Sequence, residues 1–412
     1  MPFKIRLTRF ANFFNFYGAS FYCACEFFDN YMNESYKLMF LKSNCLYFAI
    51  ILTFCNSLYI SAVVINRIIA SIGVGDTPSG IAITPNGRFA YIANSNNDGL
   101  VNGNTVSVID IETNKVIKTI SDSSFDQPYT VTINASGTKA YVTNSNSTTI
   151  SIIDIKTNSV IGVITGFDGP SGMVITPDGN TAYVNNYGSP AGVGSANATT
   201  VRVVNLVTNL IIGPAITVGL APASLDITPN GSYVYVINYV DGNVGTGTIS
   251  IIKTASNTVV GTITGLFGPY SIKITSDGLY AYITNFGSND FSPVGRTVSV
   301  VDLHENSIVD TIFVGIQPSG IAFSPNGRFA YVTNYNTLYL GAGFTDLTPG
   351  QGTVNIIDMC TNKVLCQELL TGSSPAVIAI SLDGRYAYVV NYSANSVSVI
   401  DIYDKMWLNV CK

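Results

Sequence analysis

The sequence predicts an all-β protein, a seven-bladed β-propeller of four-stranded antiparallel blades with an N-terminal apolar leader, and three observations carry that reading. One unit occurs seven times, its clearest stretch running AYIAN at 90–94, AYVTN at 140–144, AYVNN at 182–186, VYVIN at 234–238, AYITN at 281–285, AYVTN at 330–334 and AYVVN at 387–391. The prolines that open the units, Pro78, Pro128, Pro170, Pro222, Pro269, Pro318 and Pro375, follow one another at 42 to 57 residues. Finally, 47% of the chain is hydrophobic and only 11% charged, with Asn, Thr, Ser and Gly in place of charge. That mixture belongs to short strands joined by tight turns, not to amphipathic helices or a disordered chain.

Each unit divides into four strands. A Pro-led strand ends in a turn (PSGIAITPNGR at 78–88), the AYIAN-like strand follows, a loop leads to a third strand (TVSVID at 105–110), and a turn (ETNK) leads to a fourth (VIKTI at 116–120). Repeats of this length with four strands are propeller blades rather than solenoid coils. The turns TPNG, TPDG, TPNG and SPNG at 84, 176, 228 and 324 pair a proline with a glycine able to take positive φ. The strands read almost continuously apolar, as expected when neighbouring blades cover both faces.

Closure is legible in the register. Asn66, Arg67, Ile68, Ile69, Ser71 and Ile72 match Asn114, Lys115, Val116, Ile117, Thr119 and Ile120, a fourth strand standing before blade one. This predicts a composite last blade, with three strands from residues 375–402 and the fourth from the N-terminal segment, which removes exposed sheet edges. The rival for that fourth strand is Met406–Val410 in the tail. The chain thus divides into a leader (1–62), a propeller (63–402) and a tail (403–412).

The repeat resembles the YVTN-type propeller family, a unit of about 40 residues named for the motif present here at 141–144 and 331–334. The resemblance spans residues 63 to about 402. It implies a seven-bladed propeller, commonly exported or surface-associated and often without a defined activity. Asn205 and Lys253 depart from the pattern where the third strand otherwise ends in Asp, which places a local hydrogen bond in doubt.

The leader holds four of the seven cysteines and an apolar run, LYFAIILTFC at 46–55, preceded by Lys37 and Lys42 and followed by Ser61 and Ala62. A basic segment, a short apolar run and a small residue describe a signal peptide, with a signal anchor or buried helix as the alternative. Some forty residues precede its charged part, so Met32 or Met39 is a candidate start. Export to the periplasm, the cell surface or the medium is expected, with membrane contact through the leader alone.

Net charge is −5, and residues 63–412 carry 15 basic against 22 acidic residues. A phosphate backbone is repelled on average, so nucleic acid is not an expected partner. The fourth-to-first connections and second-to-third loops share one rim, and the tight turns share the other. The second-to-third loops contain 10, 4, 13, 9, 11, 18 and 4 residues in blades one to seven, so ligand binding is expected on that rim, especially at 95–104, 187–199, 286–296 and 335–352. The same rim carries Asp76, Asp98, Asp122, Asp126, Asp168, Asp241, Asp290 and Asp346, with Arg296 its one clear cation. Such a mouth favours cations, polar small molecules, glycans or a basic surface protein; the plain alternative is a set of solvated loop tips. Asn94, Asn96 and Asp98 before Gly99 are spaced like calcium ligands, but they bring one carboxylate and lack the later glutamate.

No catalytic residue is assigned. The single histidine, His304, falls in the turn between the third and fourth strands of blade five, away from the long loops, and the chain has no GxSxG, phosphate loop or HExxH. The leading expectation is a non-catalytic exported propeller that binds a polar ligand or surface protein. The alternatives are a calcium-dependent lactone or sugar hydrolase in the central channel and a structural surface-layer component.

One pattern concerns cysteines. Two and eight residues after the third-strand Asp stand Glu112 and Lys118, His304 and Asp310, and Cys360 and Cys366. Opposite charge at two of these pairs predicts that the positions face each other across the hairpin, which makes Cys360 and Cys366 disulfide candidates and His304 a structural partner of Asp310.

Overall fold

The computed structural model describes residues 67–95, 104–188, 199–240, 246–287, 294–336, 351–365 and 369–402. The leader, the tail and the centres of the five longest loops lie outside them. Blade one consists of Pro78–Ile83, Phe89–Asn94, Thr105–Asp110 and Lys115–Ser121, hydrogen-bonded in that order and antiparallel throughout. Blades two to five repeat the arrangement. In blade six the outer strand comes in two pieces, Lys363–Val364 and Leu369–Ser373, both paired with Gln351–Asp358. The first strands of successive blades touch one another all the way round the ring, so they surround its axis and the fourth strands form the circumference.

Blade seven is composite, as the register predicts. Arg67–Gly73 is its outer strand, and Arg67 opposes Asp401 as Lys115 opposes Asp110. Even the irregularity repeats: the ladder skips a residue between Ile68 and Ala70, and likewise between Val116 and Lys118. The edge of the last sheet is therefore covered by the other end of the propeller.

The core lies between blades rather than within them. Seven clusters of buried side chains are described, one at each interface; that between blades one and two joins Tyr91, Val106, Val108 and Ile120 to Val131, Val142 and Ile153. Second and third strands bury residues on both faces, whereas outer strands alternate and expose Ile117, Ile161 and Phe313. The continuous apolar pattern thus belongs to the middle strands.

Two polar devices explain the most repetitive letters of the unit. In five blades the buried Tyr of the second strand donates its hydroxyl to an Asn in the third-to-fourth turn of the next blade: Tyr91 to Asn158, Tyr183 to Asn257, Tyr235 to Asn306 (2.9 Å), Tyr282 to Asn362 (2.7 Å) and Tyr388 to Asn114 (3.0 Å); between blades two and three the Asn209 Oδ1 is buried without a partner. The five accepting asparagines have φ of 51–53°, so one residue supplies both the left-handed turn and the acceptor. The Asn that ends the second strand is buried, and its Nδ2 donates into the third strand, as Asn144 does to Thr149 (2.9 Å) and Ser151 (3.0 Å).

The turn that Asn205 and Lys253 place in doubt behaves differently at each. Asp110 Oδ1 accepts from Thr113 N at 2.9 Å, and Asn205 Oδ1 does the same for Val207 and Thr208, at 2.9 and 3.0 Å. At Lys253 the carboxylate role is gone, and the turn rests on its backbone, with Asn257 N donating to Lys253 O at 2.9 Å.

The expected face-to-face pairing across this hairpin is corrected. Lys118 opposes Val108, and Glu112 lies in the turn. His304 Nδ1 meets Glu305 Oε1 at 2.7 Å on an exposed surface, while Asp310 accepts from Asn362 Nδ2 at 2.9 Å. The bulge beside Val108 and its counterpart beside Val300 shift the strand by one residue and turn the second member of each pair elsewhere.

Because Ile72 is buried in the cluster that joins blade seven to blade one, Ile72→Ala is expected to cost about 2–5 kcal/mol in urea unfolding. Deleting residues 67–73 should abolish the cooperative transition. A deletion variant with an unchanged melting temperature would assign closure to another segment.

Candidate functional site

The long-loop rim is where first strands begin and second strands end, since Pro78 opposes Asn94 and each blade repeats that pairing. At the axis the first strands crowd. A Cβ on Gly80 would lie 2.3 Å from the carbonyl oxygen of Tyr129, so the Pro-Ser-Gly start is a requirement of close backbone approach. Ser79 Oγ donates to that same carbonyl at 3.0 Å.

The residue after the opening proline is Ser79, Ser171, Ala223, Ser319 or Ala376 in five blades, but Tyr129 in blade two and Tyr270 in blade five. These two belong to blades on opposite sides of the ring, and their hydroxyls meet at 2.9 Å, bridging the channel mouth. Around them, the residue following the second-strand Asn is aromatic in five consecutive blades: Tyr187, Tyr239, Phe286, Tyr335 and Tyr392, with Ser95 and Ser145 in blades one and two. Ring contacts run Tyr239–Tyr270 (6.2 Å between centroids), Tyr270–Phe286 (5.3 Å), Phe286–Tyr335 (6.0 Å) and Tyr335–Tyr392 (6.2 Å). Tyr187, Tyr239, Phe286 and Tyr335 each open one of the longer loops, so the aromatic arc and the loops form one surface.

Four of its phenols are held neutral. Burial pushes Tyr129 up to about 12 from an ordinary 10.0, and the Tyr129 phenol together with burial holds Tyr270 well above that ordinary value. Burial likewise raises Tyr187 and Tyr335. These groups donate and accept hydrogen bonds at neutral pH, and they are not bases.

The acidic residues expected to form the mouth are employed in shaping loops. Asp76 Oδ1 accepts from Asn395 Nδ2 at 3.0 Å, Asp122 Oδ1 from Ser124 N at 2.9 Å, and Asp126 Oδ1 from Asn146 Nδ2 at 3.0 Å. Asp168 joins through its backbone, donating to Asn186 Oδ1 at 3.1 Å. Arg296 is exposed, and its carbonyl accepts from Val314 N at 2.8 Å. Asn96, Asp98, Asp241, Asp290 and Asp346 lie outside the described residues. Asn94 is buried with Nδ2 bonded to Thr105 and Ser107, both at 3.0 Å. Its Oδ1 is buried without a hydrogen-bond partner, as are those of Asn238, Asn285, Asn334 and Asn391, so this oxygen is a feature of the repeat and not a mark of one loop. Among the described residues no three His, Cys, Asp or Glu side chains gather at metal-binding distance.

The aromatic positions are legible in the sequence, where an aromatic follows the second-strand Asn in blades three to seven; charge pattern alone points to the aspartates instead. The Tyr129–Tyr270 contact had no signal beyond the identity of the two residues.

The raised phenols make a pH prediction. Unfolded tyrosines release their proton near 10 while Tyr129 keeps its own to about 12, so the folded state binds more protons in that window. Stability is full below pH 10 and falls as pH rises toward 12. Urea midpoints measured from pH 8 to 11.5 should show this fall, reduced in Tyr129→Phe; an identical slope in the variant would remove Tyr129 from the account.

Comparison with known proteins agrees on architecture. A family model described as Lactonase, 7-bladed beta-propeller matches residues 295–409, from the third strand of blade five onward. Among solved structures, Kuenenia stuttgartiensis Hydrazine Synthase matches with a TM-score of 0.64 at 22% identity, covering 79% of this chain and 96% of that one. No curated relative matches the chain. The chain is a seven-bladed β-propeller, similar in sequence to the lactonase propellers over its last blades and in fold to the hydrazine synthase chain.

Proposed function

We propose that this protein is a non-catalytic, exported propeller of the YVTN-repeat type that binds a polar ligand, a glycan before a surface protein, on its long-loop rim. The observation that carries this is the arc of ring contacts from Tyr239 to Tyr392 around the Tyr129–Tyr270 pair. Tyrosine offers a flat apolar face for the C–H surface of a sugar and a hydroxyl for its oxygens, with little conformational entropy to lose. A glycan array, followed by thermal shift with calcium and with chelator, tests this. Tyr335→Ala and Tyr392→Ala should each weaken the best glycan about thirtyfold, corresponding to the roughly 2 kcal/mol of a central aromatic contact, while the melting curve stays cooperative. Unchanged affinity in both variants would sink the proposal, and an effect of chelator alone would bring calcium into the site.

The lactonase match favours a second reading, a lactone hydrolase at the same mouth. That chemistry needs a base at neutral pH. The phenols are held protonated, which leaves carboxylates such as Asp126 for the role. Turnover of a sugar lactone that Asp126→Asn abolishes would support hydrolysis over simple binding.

Export into an oxidising compartment is supported by Cys360, which is disulfide-bonded. Cys366 lies outside the described residues, and the two are proposed as partners. Non-reducing peptide mapping of exported protein should recover 360 and 366 in one linked fragment with Cys411 free. Quantitative labelling of all three thiols without prior reduction would refute the pairing.

A further inference from the structure

On the opposite rim, between the tight turns of blades three and four, lies a groove of about 410 Å³. It arises because the chain departs from the repeat in three places at one interface. The residue that starts the second strand is Phe89, Lys139, Tyr233, Tyr280, Phe329 and Tyr386 in six blades but Thr181 in blade three. At four other interfaces that side chain packs on the cluster, as Phe89 does between blades one and two and Tyr233, Phe329 and Tyr386 do at theirs, whereas Lys139 joins no cluster and Tyr280 is exposed. From the facing blade, the residue after the third strand is Ile111, Ile155, Leu206, Leu303, Met359 and Ile402, but Thr254 in blade four. Neither threonine belongs to the cluster joining blades three and four. The third departure is in the outer strand of blade three, where Gly213, Pro214 and Ala215 move the irregularity. Ile212 opposes Val203 there, in the place of Lys118, Gly162, Gly261 and Asp310.

The groove therefore has an apolar wall of Ile212, Pro177 and the Tyr183 ring, and a polar edge of Thr181, Asn230 and Asp178. Its volume lies within the roughly 300–1,000 Å³ of small-molecule sites. Thr254 is already committed, donating to Gly231 O at 2.7 Å. The lining contains one carboxylate and no lysine or arginine. In the turns of blades one, six and seven an arginine lies over the neighbouring ring, at 5.0 Å from Phe89, Phe329 and Tyr386; Asn180 and Thr181 replace that pair here, so cation and ring are lost together. The Asp178 carboxyl, whose Oδ1 accepts from Thr176 Oγ and Asn180 N and whose Oδ2 accepts from Asn180 Nδ2 at 3.2 Å, is held below its usual range by these hydrogen bonds and is exposed. It has room for a further donor.

We propose that this groove is a second ligand site, independent of the tyrosine rim, for a small organic amine whose ammonium meets Asp178 and whose apolar body lies on Ile212 and Pro177. The shape selects a body about the size of the missing ring, and the lone carboxylate selects a cation over a neutral or anionic head.

Saturation-transfer NMR with benzylamine on the full chain, at neutral pH and low salt, tests it, with benzyl alcohol as the uncharged control. Benzylamine should bind saturably, and benzyl alcohol at least about tenfold more weakly, since a charge-assisted hydrogen bond is lost. Asp178→Asn should cost benzylamine the same factor. Thr181→Phe, which restores the ring found in blades one and six, should abolish binding with an equal or higher melting temperature; Thr254→Ile is the second filling variant should the first fail to fold. Absence of saturable benzylamine binding, equal binding of benzyl alcohol, or undiminished binding in a folded filling variant would each overturn the proposal.

Discussion

Every blade is apolar on both faces, and nothing but another blade covers it. Tyr91, Ile92, Val106 and Val108 are all fully buried, yet residues next to one another along a strand point to opposite sides of the sheet. A blade alone would expose one half of these whichever way it lay. The apolar area becomes a core only when a blade stands on each side, and the condition propagates round the ring until the last sheet meets the first. Closure by Arg67–Gly73 is thus the constraint on which the remaining contacts depend.

The polar devices act within that constraint. A buried hydrogen bond contributes about 1 kcal/mol net, but an unmet buried hydroxyl costs about 1–3 kcal/mol. The five Tyr-to-Asn bonds between blades therefore add little driving force and instead set how those blades must sit, since only one placement brings the Tyr hydroxyl to the Asn of the next turn. The third-to-fourth turn shows which parts are replaceable. Asn205 substitutes for Asp because one accepting oxygen is enough, and Lys253 is tolerated because the left-handed Asn257 and the backbone bond to it persist.

A ring of near-identical units places the same position of each blade at one radius, so differences between copies become differences around a circle. Small residues after the opening proline leave room at the mouth, and the two tyrosines that break that rule meet across it. Aromatics after the second-strand Asn in blades four to seven join Tyr270 in a single arc. By the same geometry, two threonines and a displaced bulge in neighbouring blades open one groove at an interface that is otherwise filled.

Repeat number, strand order, the composite last blade and the division into two rims all followed from the residues, because turn chemistry and hydrophobic pattern are local and recur seven times. Register at the bulges was not local. The pairing expected for Glu112 with Lys118 and for His304 with Asp310 failed because Glu112 and His304 lie in the four-residue turns, while a one-residue skip redirects the strand beside Lys118 and Asp310. Loop length divides the two rims, but charge alone does not say which side chains are available at the mouth. Whether Asp76 or Asp126 faces a ligand or ties its own loop depends on Asn395 and Asn146, the former 319 residues away along the chain. The sequence by itself determined the ring and the places where its copies differ. Only the tertiary structure decided that Tyr129 and Tyr270, three blades apart, touch, because that contact passes across an axis to which no single repeat refers.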